Sequence, residues 1–210
     1  RVVWFSRTQV PPEGAFVKDG LIMFGRSDAP TSVCKVEDVY IPGPHNLENA
    51  LAATAAAICA GVPAPVVRHT LRTFHGVEHR IETVRVLDGV KYINDSKGTN
   101  PDSTVKAVET MKEPTVIILG GSEKNSDFGK MCEVIRRNPI TYAVLIGKTG
   151  ERIGEALKAH GFTAFEYAGY DFEQAIRIAR AHAVTGGNVL LSPACASFDM
   201  FSDYEARGRI

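Results

Sequence analysis

Asn94-Asp95-Ser96-Lys97-Gly98-Thr99-Asn100-Pro101-Asp102-Ser103-Thr104 gathers an acid, an ammonium, several hydroxyls and a proline into one short stretch. An alternating apolar run at 84–93 precedes it and reads as strand; residues 105–112 follow and read as helix. Strand, polar loop and helix start is the arrangement by which α/β proteins hold anionic or phosphorylated ligands, because the first N–H groups of a helix point outward unpaired. Asp95 and Lys97 are two apart, so both could flank one ligand. Pro101 fixes a backbone angle at or before the helix start, and Asp102 or Ser103 can cap it. The competing reading is a capped connection with solvated charges.

Other polar or glycine-rich stretches also follow apolar runs: residues 120–124, 147–149 and 192–197. Such stretches fall at the carboxyl ends of strands, where open α/β sheets bind ligands. Lys124, after Gly120-Gly121, is a plausible carboxylate partner, and equally a loop lysine. Gly147-Lys148-Thr149 imitates the end of a phosphate-binding loop, but that loop needs a glycine where Tyr142 stands. No G-x-G-x-x-G follows a strand. Cys195 has alanine on both sides and no base beside it, which reads as a packed cysteine. Asn46 and Asn49 are three apart on a first helical turn; their amides could read a base or ribose, or Asn46 could simply cap. Arg80 could clamp phosphate with its forked donors, or be a solvated linker charge.

The elements that must position these groups follow from periodicity. Residues 1–41 read as short strands: 2–5, a hairpin of 15–17 and 21–24 around Asp19-Gly20, and 36–41, closed by Pro42-Gly43-Pro44. A polar start at 45–49, an alanine-rich body and Gly61 describe a helix, and 65–74 a second. Residues 73–80 read as a linker. Beyond it comes a hairpin, 82–87 and 90–93, around Asp88-Gly89. Strands at 115–119, 142–146, 163–167 and 188–191 then alternate with helices at 128–137, 150–160 and 172–184, and 198–207 reads as a last helix. The pattern predicts an α/β protein: a first domain at 1–77, then a Rossmann-like, doubly wound domain at 78–210 with a mostly parallel sheet.

The 210 residues carry 24 Lys+Arg against 24 Asp+Glu, which leaves no electrostatic footprint for nucleic acid or an anionic membrane. Cys34, Cys59, Cys132 and Cys195 form no C-x-x-C pair, so neither a zinc site nor a disulfide framework is expected, and a reducing cytoplasm is the simplest home. No apolar run is long enough for a membrane span, and no signal peptide opens the chain.

Three stretches together resemble the Mur ligases, the ATP-dependent amide-forming enzymes of peptidoglycan synthesis. They are His45-Asn46 with Asn49, 94–100, and Leu190-Leu191-Ser192-Pro193-Ala194-Cys195-Ala196-Ser197-Phe198-Asp199. The last two look most like the branch that adds D-glutamate to UDP-N-acetylmuramoyl-L-alanine. The resemblance implies that Asn46, Asn49, Arg80, Asp95 and Lys97 face ATP, and that Thr99, Lys124, Ser197 and Tyr204 face D-glutamate. It also implies acyl-phosphate chemistry with Mg2+, a monomer, and small-molecule partners only. Gly98 stands where the family usually has alanine, and Tyr204 where phenylalanine is usual. The family's phosphate-binding loop, magnesium ligands, carbamylated lysine and UDP-binding domain have no counterpart here. The chain, which opens on Arg1, is therefore expected to be a piece of a longer ligase, begun partway through the central ATPase domain and inactive alone. The alternatives are a sister ligase such as a folylpolyglutamate synthase, or a non-catalytic nucleotide-binding module.

Overall fold

The computed structural model describes residues 2–122 and 125–210. The chain divides into two compact units, 1–76 and 77–210.

In the first unit a four-stranded sheet runs in the order β1 (Trp4–Ser6), β2 (Glu13–Lys18), β3 (Leu21–Arg26), β4 (Thr31–Lys35). β1 lies parallel to β2; the other pairs are antiparallel. Asp19 and Gly20 both take positive φ, 52° and 74°, which a two-residue hairpin turn needs to match strand twist. Helices α1 (Pro44–Cys59) and α2 (Ala64–Thr73) follow. Ala15, Ile22 and Val33 from the sheet bury against Leu51 and Ala55 of α1 and Val67 of α2. The expected strand at 36–41 does not form. The last strand is 31–35, and Val36–Asp38 make a single 3-10 turn. A 3-10 turn brings residues i and i+3 to the same side, so Val36 and Val39 both reach the core without pairing to a strand.

In the second unit six strands run in the order β5 (Glu82–Leu87), β6 (Val90–Asn94), β10 (Asn188–Leu191), β7 (Thr115–Gly120), β8 (Ile140–Ile146), β9 (Phe165–Gly169). Only β5 is antiparallel to its neighbour. β7 is buried along its whole length because both faces are covered. Ile117 and Leu119 face α3 (Pro101–Thr110), α4 (Gly129–Arg137) and α5 (Gly150–Ala159) through residues such as Val108, Ile135 and Ile153. Val116 and Ile118 face α6 (Phe172–His182) through Phe172, Ala175 and Ala179. This is the mixed α/β, Rossmann-like sheet expected from the alternation.

Two ends differ from expectation. α3 is capped by Asn100, whose Oδ1 accepts from Ser103 N at 2.9 Å, not by Asp102 or Ser103. Pro101 takes the first helical position, so the cap must precede it. The helix expected at 198–207 is only α7 (Tyr204–Gly208). Ser197 O accepts from both Met200 N and Phe201 N, which closes a turn, and Asp203 restarts the helix by accepting from Ala206 N at 2.6 Å.

Candidate active site

The parallel strands β6, β10, β7, β8 and β9 end along one edge of the sheet, and the polar stretches singled out in the sequence collect there. β6 and β10 are registered Asn94 to Leu191, so their tips are neighbours. Asp95 N extends that ladder by donating to Leu191 O at 2.7 Å. The Asp95 carboxylate then turns inward. Ser192 Oγ donates to Oδ2 at 2.7 Å, and Ile81 N donates to Oδ1 at 3.3 Å. Ser192 Oγ also lies 3.0 Å from Thr104 Oγ1, which tethers the start of α3 to the tip of β10. Burial pushes the Asp95 carboxyl up to about 6, against the opposing pull of Ser192, the Ile81 N–H, Arg80 and Arg207.

Lys97 goes the other way. Its exposed ammonium donates to Tyr204 Oη at 3.0 Å and sits 4.8 Å from the centre of that ring. Asp95 and Lys97 therefore occupy different surroundings, one interior and one at the surface. Gly98 O accepts from Ala194 N at 2.9 Å, which fastens the segment before Thr99 to the segment before Ser197. Thr99 is half-buried and Ser197 is buried. Arg80 is exposed, and its side chain makes no hydrogen bond or ion pair among the described residues. Its neighbour His79 is buried, with Nδ1 2.9 Å from Asn94 Nδ2. Lys124 lies outside the described residues.

Asn46 and Asn49 are in the first unit, on α1. Asn46 is no cap: its Nδ2 donates to Pro42 O at 2.7 Å, and its Oδ1 accepts from Asn49 Nδ2 at 3.3 Å. Asn46 is buried and Asn49 exposed, so of the pair Asn49 offers its carbonyl to solvent.

Three residues that bind this edge together were not named individually as site residues from the sequence, although Ser192 and Asp199 fall in the polar stretch at 190–199. Asp199 Oδ2 accepts from Lys148 N at 2.9 Å, and its own N donates to Ser122 Oγ at 3.1 Å. Ser192 holds Asp95, and Arg207 is buried at 1% exposure among loop oxygens. Thr149 is a fold staple, exchanging hydrogen bonds with Gly121 N at 3.1 Å and Gly121 O at 3.0 Å. Cys195 is packed, as expected. Among the described residues no three His, Cys, Asp or Glu side chains gather so as to hold a metal ion. No helix among them is long and apolar enough to cross a membrane.

A mostly parallel sheet with hydroxyls, an acid and an ammonium at its carboxyl edge is an α/β domain with polar groups where open sheets of this class carry their ligand sites. Comparison with known proteins narrows that class. The family description "Mur ligase, glutamate ligase domain" matches residues 79–195, so the chain belongs to the Mur ligase family. The UDP-N-acetylmuramoylalanine--D-glutamate ligase of Thermoanaerobacter sp. (strain X514) is 44% identical over 212 residues, covering 100% of this chain and 46% of that protein. The chain thus spans about half the length of the curated relatives it matches. The UDP-N-acetylmuramoylalanyl-D-glutamyl-2,6-diaminopimelate--D-alanyl-D-alanyl ligase of Acinetobacter baumannii shares the fold: TM-score 0.68, 16% identity, 94% of this chain and 44% of that one. So does the MurF ligase of Thermotoga maritima, solved in complex with ADP: TM-score 0.54, 14% identity, 85% of this chain and 41% of that one.

Proposed function

We propose that this chain works in an ATP-dependent ligase that joins D-glutamate to UDP-N-acetylmuramoyl-L-alanine. In this reading the γ-phosphoryl group of ATP passes to the terminal carboxylate of the alanine, giving an acyl phosphate and ADP. The amine of D-glutamate attacks the acyl carbon. The new C–N bond forms as the C–O bond to phosphate breaks, and the amine gives up a proton. In the second unit Thr99, Lys124, Ser197 and Tyr204 offer hydroxyls and an ammonium to the two carboxylates of the amino acid. Arg80, Asp95 and Lys97 face ATP from this unit, and Asn46 and Asn49 belong to the ATP-binding part. What the chain contributes is orientation. A bound amine held in line with the acyl carbon reacts as though at very high concentration.

The observation that carries the reading is the joining of the Thr99 and Ser197 segments, through Gly98 O and Ala194 N, at the tips of adjacent strands. Sequence identity of 44% along the whole of this chain, though over only 46% of the relative named as a D-glutamate ligase, supports the choice of amino acid. The test is ADP release by the full-length protein with UDP-N-acetylmuramoyl-L-alanine and a panel of amino acids. Release that depends on D-glutamate is expected. Release with a folate acceptor and L-glutamate selects the sister-ligase alternative, and no release with any acceptor selects the binding module.

A further inference from the structure

Among the described residues Arg207 is the largest fully buried side chain, and none of their carboxylates is in hydrogen-bonding contact with it. Its Nε donates to Ser96 Oγ at 2.9 Å, its Nη2 to Ser96 O at 2.8 Å, and its Nη1 to Cys195 O at 3.2 Å. The forked guanidinium thus spans two loops, one leaving β6 and one leaving β10. A buried cation held by neutral oxygens is costly, and an apolar side chain of similar volume would usually be cheaper. The return is geometric. A peptide unit is planar, so fixing the carbonyls of Ser96 and Cys195 fixes the direction in which each chain continues. One continues through Lys97 and Gly98 to Thr99, the other through Ala196 to Ser197. The rest of α7 points the same way: Ser96 Oγ donates to Tyr204 O at 2.7 Å, and Asn94 Nδ2 to Gly208 O at 3.0 Å.

We infer that Arg207 is a positioning residue for the amino-acid substrate, setting the spacing between Thr99 and Ser197 without touching the ligand itself. This rests on the proposed assignment of Thr99 and Ser197 to the carboxylates of D-glutamate. Two hydroxyls that must meet one small dianion tolerate little error in spacing, whereas most of the residues proposed to face ATP, namely Asn46, Asn49 and Arg80, are not hydrogen-bonded by Arg207. Lysine at this position keeps the charge and loses the fork, because one ammonium cannot reach both loops in the same plane.

The experiment uses the full-length ligase that contains this chain, with Arg207→Lys and Arg207→Met. Steady-state kinetics and thermal unfolding are measured beside Thr99→Ala and Ser197→Ala. For Arg207→Lys, the KM for D-glutamate is expected to rise roughly tenfold, the amount set by losing about one good hydrogen bond's worth of placement. The KM for ATP and kcat should stay within about threefold. A purely structural role predicts the opposite: less active protein, hence lower apparent kcat, with the D-glutamate KM unchanged. That result in a folded Arg207→Lys, or a parallel rise in both KM values, overturns the inference. Arg207→Met keeps the test open if lysine misfolds, since it fills the same space without a charge. If Thr99→Ala and Ser197→Ala leave the D-glutamate KM unchanged, the assignment on which the inference rests fails with it. If they raise it and Arg207→Lys and Arg207→Met do not, the inference alone fails.

Discussion

Ser192 Oγ donates to Asp95 Oδ2 at 2.7 Å, so the acid at the tip of β6 is anchored by a hydroxyl from the tip of β10, its neighbour in the sheet but 97 residues away in sequence. Burial keeps that carboxyl near 6, against an ordinary 3.8 in the unfolded chain, so the folded protein binds the proton more tightly. The contribution of Asp95 to stability is therefore fully present below pH 3.8 and is lost as pH rises through about 6. Above that the ionised group costs on the order of 2–3 kcal/mol. Asp95→Asn keeps the shape and removes the charge. It should stabilise the fold by roughly 1–2 kcal/mol at about pH 7.5, with the gain fading to nothing near pH ~4. Ligase activity should fall at the same time. Urea unfolding across this range checks it, and a gain that ignores pH would falsify the buried-charge account.

Gly98 bears on the same carboxylate. A Cβ built there would lie 2.5 Å from Asp95 Oδ2 and 3.0 Å from both Asp95 O and Ser192 Oγ. The obstacle is space, not backbone conformation, since Gly98 is not among the glycines with positive φ. Gly98→Ala should force the carboxylate off Ser192. The expected cost is about 1–2 kcal/mol. The fall in stability between pH ~4 and ~6 should flatten as Asp95 regains solvent. Retention of the parental pH dependence would mean that the backbone gave way instead.

Tyr204 offers Lys97 a hydroxyl at 3.0 Å and a ring face at 4.8 Å. Because the lysine is exposed, the pair contributes little to stability, under about 0.5 kcal/mol. Its value lies in where it parks the ammonium. Tyr204→Phe keeps the ring and should shift the D-glutamate KM by only about twofold, whereas Tyr204→Leu, which removes both contacts, should raise it roughly tenfold. Equal effects from the two variants in the full-length enzyme would assign the positioning to the hydroxyl and reject the ring.

These contacts show which parts of the molecule are legible in the sequence. Apolar blocks bounded by glycine or proline became strands, because β7 is buried on both faces and β8 nearly so. Asp19-Gly20 and Asp88-Gly89 became turns, because both residues of each pair hold positive φ. Residues 36–41 misled because Val36 and Val39 satisfy a 3-10 turn as well as a strand. At 198–203 a helix-like composition lost to Ser197 O, which drew Met200 N and Phe201 N into a turn. The polar strand ends were legible as candidates because their side chains have no place in an apolar sheet. Arg207 was not, nor was the bond by which Ser192 holds Asp95, because the partners Ser96 and Asp95 lie 111 and 97 residues away and are met only once β10 has inserted between β6 and β7. The inward turn of Asp95 and the outward turn of Lys97 were hidden for the same reason.

The two asparagines of α1 should separate structure from binding. Asn46 spends its amide on the fold, donating to Pro42 O at 2.7 Å and accepting from Asn49 at 3.3 Å. Asn46→Ala leaves a carbonyl short of its partner in a half-buried site and should cost about 1–2 kcal/mol in unfolding experiments. Asn49 is exposed and gives up only one weak bond, so Asn49→Ala should leave stability within about 0.5 kcal/mol. If Asn49 meets the nucleotide, that variant of the full-length enzyme should raise the KM for ATP by roughly three- to tenfold with the D-glutamate KM unchanged. A loss of stability on Asn49→Ala as large as on Asn46→Ala would mark both as fold residues and leave the nucleotide to other groups.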